Sequence, residues 1–401
     1  MIKQLIKRAV FGRVDAFRAA QTLDTLAAIA AHAVDDPGRC EPERAPDPAR
    51  LRMAWVIPPF VAGLGGHTTL FRAVSHFAAR GHPQRLLIFN PFGTISVPGS
   101  RRVLDEHYGG VDAELAEWTP DEAARPADVV VATSWHTAYA VGSMRRVARK
   151  VYVIQDLEHL FHPAGSEAAL AEETHRFGFP AVTAGEWLRR EVESRYGVRA
   201  GSFDLAYNRS EYTDAGAPRA NRVLCYARPT TPRRAFELSV LALRELQRLS
   251  PATEIVFFGA ERLPALAGLR ATNRGILRPA ELNELYNGAT AGLVLSATNY
   301  SLVPLEMMAA GLPVVDLALP NNFAIHGEPA AHISLAAPTP RAIARALHAL
   351  VGDAGLRERQ RAAAHAYAAG LSWEASCARI EEIVLSYVAD ASAASLNTVQ
   401  R

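Results

Sequence analysis

The sequence predicts an α/β protein made of two parallel sheets with helices on both faces. Short apolar runs typical of buried strands alternate with amphipathic helical segments through both halves of the chain. That alternation favours parallel strands joined by crossover helices. With 401 residues the chain is too long for a single core, and the polar stretch 208–220, which contains glycine and proline, separates two such units.

The predicted elements follow one another in a regular order. Residues 1–38 are expected to be helical, and the proline-rich stretch 40–50 is expected to be a linker. The strands expected in the first half are Met53–Pro58, Arg85–Asn90, Asp128–Thr133, Val151–Gln155 and Ala181–Ala184. Those expected in the second half are Arg222–Ala227, Glu254–Gly259, Ala291–Ser296 and Leu312–Leu317. We therefore expect an N-terminal extension at 1–50, a first domain at 51–215, a second domain at 216–371, and a final helix and tail at 372–401.

The composition indicates to which broad class of protein the chain belongs. Apolar residues make up 49% of the chain, enough for sizeable cores, and the formal net charge of +2 does not suggest a nucleic-acid-binding protein. Cys40, Cys225 and Cys377 lie far apart without metal-ligand spacing, which is typical of a reducing compartment. Cys225 lies in an apolar strand and is expected to be a core thiol. No apolar run is long enough to span a membrane, so we expect a cytoplasmic protein.

The N-terminal stretch 1–30 begins with basic residues around an apolar stripe. It lacks the small-residue cleavage site of a signal peptide. A basic amphipathic helix can rest on an anionic membrane surface, which would make the protein peripheral at the inner face of the plasma membrane. It can equally pack on the protein itself or on a second copy in a homodimer. The sequence leaves these alternatives open.

Segment 291–316 carries the strongest functional signal. It reads as a buried strand, a tight loop, a short helix and a second buried strand, with Ser301 as helix cap and Gly311 as helix end. Backbone amides at a helix start that follows a strand form an anion site. Glu306, one turn deeper, is placed to accept hydrogen bonds from a pair of sugar hydroxyls. Together these features predict a nucleotide-sugar pocket.

This segment resembles the donor-site motif E-x7-E of family 4 (GT4) glycosyltransferases. Glu306 matches the second glutamate and Leu302 the leucine of that motif, whereas Ser301 replaces its glycine and Thr298 its first glutamate. In the family the first glutamate helps to hold the donor sugar. The resemblance implies that Ser301, Leu302 and Glu306 bind the donor nucleotide.

Two arginines that follow the first strand of the second half extend the resemblance. Arg228 and Arg233 have the spacing of the arginine and lysine in the family motif G-R-x4-K. Two fixed cations there can neutralise a diphosphate and stabilise the charge that builds on a leaving group. Arg278 lies before a short helix that flanks the base in the family, where it either reaches a phosphate or is solvated.

The resemblance implies a GT-B fold, in which two Rossmann-like domains face each other across a cleft. It also implies transfer with retention of anomeric configuration, by a front-face mechanism. The sequence contains no D-x-D motif, so we expect a donor site without a required metal and no cofactor besides the nucleotide sugar.

The first half adds candidates for the acceptor side. Gly65 and Gly66, directly after the first strand, resemble the family loop that lies over the donor diphosphate. The family histidine that contacts the transferred sugar corresponds to Thr133, for which His136 is the candidate substitute. Asp156 and Glu158 follow a buried strand, where a carboxylate can take the proton of an acceptor hydroxyl.

The first half also resembles bacterial rhamnosyltransferases that build surface glycans, through Val153-Ile154-Gln155-Asp156, Gly165-Ser166-Glu167 and Phe177-Gly178-Phe179. The sequence-based hypothesis is therefore a glycosyltransferase that moves L-rhamnose from dTDP-rhamnose onto a growing glycan or lipid-linked glycan of the cell envelope. Two alternatives stay open. One is a transferase that uses a UDP- or GDP-hexose, and the other is a non-catalytic GT-B scaffold subunit that binds a nucleotide or glycan.

Overall fold

The computed structural model describes residues 20–63, 65–266 and 268–399. It contains the two parallel sheets that the sequence predicts. The first has seven strands in the order β3-β2-β1-β4-β5-β6-β7, and the second has six in the order β10-β9-β8-β11-β12-β13. The strands of the first sheet are β1 Met53–Ile57, β2 Gln84–Ile88, β3 Glu114–Glu117, β4 Ala127–Ala132, β5 Val147–Ile154, β6 Ala181–Ala184 and β7 Ala200–Phe203. Those of the second are β8 Arg222–Tyr226, β9 Glu254–Phe258, β10 Thr272–Asn273, β11 Ala291–Leu293, β12 Val314–Leu317 and β13 Ser334–Ala336.

Helices form most of the crossover connections that these parallel strands need. In the first half they are Gly65–Ala79, Val97–His107, Pro120–Ala124, Trp135–Ser143, Ser166–Glu173 and Glu186–Tyr196. In the second half they are Phe236–Leu249, Pro279–Asn287, Leu302–Ala309, Pro320–His326, Pro340–Gly352, Ala354–Ala369 and Trp373–Val399. Single 3₁₀ turns occupy Glu158–Phe161, Thr174–Arg176 and Pro232–Arg234.

The chain folds into two compact units; the second contains the whole six-stranded sheet, and the first contains strands β1 to β4 and most of β5. The first unit contains residues up to Val153, His162–Ala181 and the residues from Ile383 onward. The second contains Ile154–Phe161 and Val182–Glu382. The segment that follows β5 therefore belongs to the second unit, although most of that strand lies in the first.

The core of the first unit forms around the central strands β1, β2 and β4, which are buried along their whole length. Trp55 of β1 is fully buried, packs 6.0 Å from the ring of Phe77, and donates from Nε1 to Oε1 of Gln84 at 2.8 Å. Burial of the large apolar side chains supplies most of the stabilisation, and the hydrogen bond satisfies the one polar atom of the indole.

The N-terminal extension packs within the first unit. Residues 20–30 are helical, but the prediction of helix through residue 38 is wrong. The helix ends at residue 30, and the chain turns at residues 31–32 and again at Pro37 and Gly38, which disfavour helix. The stretch 40–50 forms a non-helical connection, as expected. The buried Lys150 donates from Nζ to the carbonyl oxygens of Pro37 at 2.6 Å and Gly142 at 2.9 Å, so this extension completes a polar site in the core. The basic stretch proposed for membrane contact begins at residues 1–19, outside the described residues.

The second unit has two core layers, one on each face of its sheet. Cys225 of β8 is buried in the first of them, which confirms its prediction as a core thiol. The predicted strand Ala291–Ser296 is shorter in the structure, because Ser296 turns its N–H to the Asp316 side chain instead of a neighbouring strand. Strands β3, β7, β10 and β13 were not predicted, since they are short and partly exposed and lack a continuous apolar run.

Candidate functional site

The site in the second unit forms where the loops after β8 and β11 meet. These strands are parallel neighbours, so their carboxyl ends lie side by side. After β8 the chain passes Arg228, which is half-buried, and enters the 3₁₀ turn Pro232–Arg234. The carbonyl oxygen of Arg233 accepts from the N–H of Ala297 at 3.0 Å, which ties the two loops together.

Arg233 lies in a partly buried, aromatic and acidic environment. Its guanidinium carbon is 4.0 Å from the ring centroid of Phe161, and its Nε is 3.6 Å from Oδ2 of Asp156. Among the described residues Nε has no hydrogen-bond partner and is buried, while 30% of the side chain stays exposed. Burial lowers the pKa of Arg233, but an arginine remains a cation at any physiological pH.

The carboxylate of Asp156 accepts hydrogen bonds from three directions. Oδ2 accepts from the hydroxyl of Thr298 at 2.7 Å. Oδ1 accepts from the N–H groups of Leu157 at 2.9 Å and Asn299 at 3.3 Å. Burial raises the pKa of Asp156, and the hydroxyl of Thr298 and the charge of Arg233 oppose that rise. With these acceptor positions occupied, the carboxyl group of Asp156 has a fixed orientation.

The two residues after Thr298 bind other segments of the second unit. The side-chain amide of Asn299 donates to the carbonyl oxygens of Gln155 at 2.9 Å and Ala184 at 2.8 Å. The hydroxyl of Tyr300 accepts from the N–H of Leu205 at 2.8 Å. Thr298, Asn299 and Tyr300 are all buried. The segment therefore holds a defined position at the start of the next helix.

That helix, Leu302–Ala309, begins at the predicted place and ends before Gly311, which has a φ of 68°. The prediction that Ser301 caps it with its side chain is wrong. Ser301 occupies the N-cap position, but its hydroxyl makes no capping bond and is buried without a hydrogen-bond partner among the described residues. The N–H groups of the first turn thus lack the side-chain acceptor that usually satisfies them.

A buried polar network beside this loop was not predicted. Asp316, fully buried in β12, accepts at Oδ1 from the N–H groups of Ser296 and Leu317, both at 2.7 Å. Burial raises the pKa of Asp316 to about 6. Arg234 donates to Oγ of Ser296 at 3.2 Å, and Asn321 donates to the carbonyl oxygen of Ser296 at 3.1 Å. The signal in the sequence was a single aspartate within an apolar strand.

Glu306 points into the second core layer, beside Tyr212 and Tyr286. Burial and the neighbouring charge of Glu211 raise its pKa to about 7, and the two tyrosine hydroxyls oppose that rise. The residue as a whole is half-buried. Because its pKa lies near neutrality, Glu306 can exchange between a neutral acid and a carboxylate at physiological pH.

In the first unit, Gly65 and Gly66 are exposed and begin the helix Gly65–Ala79. His67 follows, buried against the rings of Phe60 and Phe71 at centroid distances of 5.5 and 5.9 Å. Burial lowers the pKa of His67 to about 4, and its Nε2 has no hydrogen-bond partner among the described residues. The histidine is thus neutral at physiological pH.

His136 is also neutral at physiological pH. Its ring centroid lies 3.9 Å from that of Trp135, with the two rings tilted by 31°, at the start of the helix Trp135–Ser143. Burial, and secondly the neighbouring His162, lower the pKa of His136 to about 4. Thr133 is buried and donates from its hydroxyl to the carbonyl oxygen of Val56 at 2.8 Å.

The remaining candidates occupy varied surroundings. Glu158 lies two residues beyond Asp156 in the 3₁₀ turn Glu158–Phe161 and contributes to the negative charge near Arg233. Leu302 is the first residue of its helix. Arg278 is 84% exposed and pairs with Glu281 of its own helix at 3.1 Å, which favours the solvated interpretation. The structure therefore groups Asp156, Arg233 and Thr298, and leaves Arg278 on the surface.

Chemically, the second unit offers cationic side chains and a helix start at one sheet edge. Arg228 and Arg233 carry the positive charge, and the first turn of Leu302–Ala309 supplies N–H donors. Such an arrangement favours an anion with several oxygens, such as a diphosphate. Across the part of the chain that the structure describes, no group of three or more metal-ligating side chains is found. Its helices there are also too short or too polar to cross a membrane.

Comparison with known proteins identifies relatives at two levels. Residues 221–348 match the family model described as WsaF, C-terminal domain. The chain is 33% identical over 343 residues to the O-antigen biosynthesis protein RfbC of Myxococcus xanthus, a match that covers 83% of this chain and 27% of that protein. This chain therefore spans about a quarter of the length of the curated relative it matches.

Several solved structures share the fold at low sequence identity. Sucrose-phosphate synthase from Thermosynechococcus elongatus has a TM-score of 0.64 and 13% identity, covering 85% of this chain and 100% of that chain. Anabaena HepE in complex with UDP and glucose has a TM-score of 0.65 and 13% identity, covering 84% and 99%. The chain therefore has the GT-B fold, as its sequence predicted.

Proposed function

We propose that the chain is a glycosyltransferase of the GT4 type that moves L-rhamnose from dTDP-rhamnose onto a growing bacterial surface glycan, with retention of configuration and without a metal. The observation that carries the proposal is the placement of Arg233 and the start of the helix Leu302–Ala309 on neighbouring strand ends of the second unit. Similarity to an O-antigen biosynthesis protein and to the WsaF C-terminal domain supports a surface glycan as the acceptor.

In the proposed reaction the bond between the sugar C1 and the diphosphate oxygen breaks, and the acceptor oxygen bonds to C1 from the same side. The leaving diphosphate gains negative charge, which Arg228, Arg233 and the helix N–H groups stabilise. The hydroxyl proton of the acceptor passes to an oxygen of the leaving phosphate on that face. Glu306 accepts hydrogen bonds from the ribose hydroxyls, and Asp156 places a negative charge beside Arg233.

A donor screen tests this function. Purified protein is mixed with a panel of nucleoside diphosphates, and unfolding temperature is followed, because a ligand that binds only the folded state raises it. We expect dTDP to stabilise the protein more than UDP or GDP. Mass spectrometry with the matching nucleotide sugars then identifies the donor consumed. Consumption of UDP- or GDP-sugars alone would contradict the rhamnose assignment.

Two further measurements separate the remaining alternatives. Activity that is unchanged in excess EDTA would support a donor site without a metal, and its loss and recovery with Mg²⁺ would contradict it. A Glu306→Ala variant should lose turnover if the protein is an enzyme. Unchanged glycan synthesis in cells that carry only this variant would favour the scaffold alternative.

A further inference from the structure

The surroundings of Arg233 show how one arginine is given a fixed direction. An arginine side chain has four rotatable bonds, so a surface arginine samples many positions. Here the peptide of Arg233 is held through its carbonyl oxygen by the N–H of Ala297 at 3.0 Å. That bond fixes the base of the side chain and leaves the guanidinium to be oriented by its neighbours.

The ion pair with Asp156 is not sufficient to orient the guanidinium. Oδ2 of Asp156 is 3.6 Å from Nε of Arg233, which is beyond hydrogen-bond distance, and no residue in the described part of the chain forms a hydrogen bond with the buried Nε. The carboxylate supplies charge from one side but no directional contact. The face of the Phe161 ring, 4.0 Å from the guanidinium carbon, is close enough for a cation–π interaction.

Phe161 is itself placed by a short and well-anchored segment. The N–H of Leu157 donates to Oδ1 of Asp156 at 2.9 Å, and the Leu157 side chain is fully buried. The turn Glu158–Phe161 then begins, and Leu160 donates from its N–H to the carbonyl oxygen of Leu157 at 2.9 Å. The ring therefore reaches Arg233 from an anchored base.

We infer that Phe161 is a positioning residue, whose ring holds the guanidinium of Arg233 in the orientation that binds the donor diphosphate. This inference rests on the proposed function and adds a residue to its site. Phe161 acts through Arg233 and needs no contact with the substrate. With one face of the guanidinium against the ring and Nε toward Asp156, the terminal nitrogens are left for phosphate oxygens, which bind arginine through two parallel hydrogen bonds.

A double-mutant cycle tests the inference. Phe161→Leu and Phe161→Met remove the ring and keep apolar volume, Phe161→Tyr keeps the ring, and Leu160→Ala is a matched control in the same turn, where Leu160 is 47% exposed. Each is made with Arg233 intact and with Arg233→Met, which removes the cation. Thermal unfolding checks that each variant is folded, calorimetry with dTDP gives the affinity, and steady-state kinetics give kcat and KM for the donor.

With Arg233 intact, we expect Phe161→Leu and Phe161→Met to weaken dTDP binding and lower kcat/KM about three- to ten-fold, the size of a partly desolvated cation–π contact. Phe161→Tyr and Leu160→Ala should stay within about two-fold of the unmutated protein. In the Arg233→Met background the loss caused by Phe161→Leu should disappear. Equal losses in both backgrounds, or no loss in either, would overturn the positioning role.

The same experiment separates failure of this inference from failure of the proposed function. If the unmutated protein binds dTDP and Arg233→Met weakens that binding while Phe161 variants do not, the positioning role is wrong and the donor site stands. If the unmutated protein binds no nucleoside diphosphate and consumes no nucleotide sugar, the proposed function is wrong and this inference fails with it.

Discussion

The strand ends of the two units differ in the charge of the side chains that they carry. In the second unit, Arg233 after β8 and Asp156 form an ion pair at 3.6 Å, surrounded by backbone and hydroxyl donors. In the first unit the residues after β1 and β4 include His67 and His136, whose pKa values burial lowers to about 4. The strand ends of the second unit thus carry charged side chains, whereas the two histidines at the strand ends of the first unit are neutral at physiological pH.

This difference suggests that the two units bind chemically different groups. A diphosphate needs fixed cations, and the second unit supplies them. Neutral polar and aromatic groups suit the uncharged hydroxyls and ring faces of a sugar or acceptor. Substitutions in the charged region should therefore have larger effects than substitutions in the neutral region.

The largest effect is expected from Arg233→Ala. Under the proposed function Arg233 stabilises the leaving diphosphate, so removing its cation should lower kcat/KM about 100- to 1,000-fold, as does removal of a preorganised group that stabilises developing charge. Steady-state kinetics with the preferred donor measure it. Arg278→Ala is the matched control, because that side chain is 84% exposed and pairs with Glu281, and its activity should not change. Equal losses in both variants would show that charge in general, and not the Arg233 site, matters.

The next effect is expected from Thr298→Glu, which introduces the glutamate of the family motif. Oγ1 of Thr298 lies 2.7 Å from Oδ2 of Asp156, so the new carboxylate would meet an existing one. Like charges at such distances repel by several kcal/mol, so we expect at least a ten-fold loss of kcat/KM. Thr298→Gln, with the same shape and no charge, should lose much less. The double variant Asp156→Thr with Thr298→Glu should recover activity; no recovery would argue against a shared carboxylate position.

A smaller effect concerns the pH dependence of stability. Because the folded-state pKa of Glu306 is raised to about 7 from its ordinary value of 4.5, the folded state holds a proton that the unfolded state has lost. Its contribution is therefore fully present below pH 4.5 and is lost as pH rises through about 7. The free energy of unfolding of the unmutated protein should therefore fall between pH 5 and pH 8. In the Glu306→Gln variant we expect this fall to be smaller by about 1–3 kcal/mol.

Urea denaturation at both pH values measures this change. Asp316, whose pKa is raised to about 6, contributes in the same direction, so Asp316→Asn should remove a separate part of the dependence. The exposed Glu284→Gln is the control and should leave the dependence unaltered. A pH dependence that Glu306→Gln does not change would show that its burial has little energetic effect.

The smallest effect is expected in the neutral region. Because the pKa of His136 is lowered to about 4, its ring carries no charge between pH 6 and 8. The pH profiles of kcat/KM for the unmutated protein and for His136→Gln should therefore have the same shape in that range. If the rise or the fall of kcat/KM with pH is absent in the His136→Gln variant, then His136 titrates during turnover. The difference in charge between the two units would then be smaller than described.

The sequence could predict elements whose signal is local. Strands β1, β4 and β8 were predicted within a residue of their observed ends, because each is a continuous apolar run between polar turns. The edge strands β3 and β10 were not predicted, because partly exposed strands lack a continuous apolar run. The GT-B fold followed from the alternation of elements and from the family resemblance.

The site was predicted less completely, because its contacts join distant parts of the chain. Arg233 was singled out by its spacing from Arg228, but nothing local indicated Phe161 or the bond between Asp156 and Thr298. The capping role assigned to Ser301 was wrong because a favourable residue at an N-cap does not decide where its hydroxyl turns. Sequence patterns thus identified which side chains belong to the site. Their hydrogen-bond and charge partners depend on tertiary contacts, which the patterns do not contain.

The buried ammonium group of Lys150 has a practical consequence for anyone preparing this protein. One of its two acceptors belongs to Pro37, in a stretch that an expression scientist would be tempted to trim as a tail. A shortened chain that starts near residue 51 would leave that ammonium in the interior with a single acceptor, at a cost of about 1–3 kcal/mol. The residues ahead of the first strand should be kept in any recombinant version intended for assays.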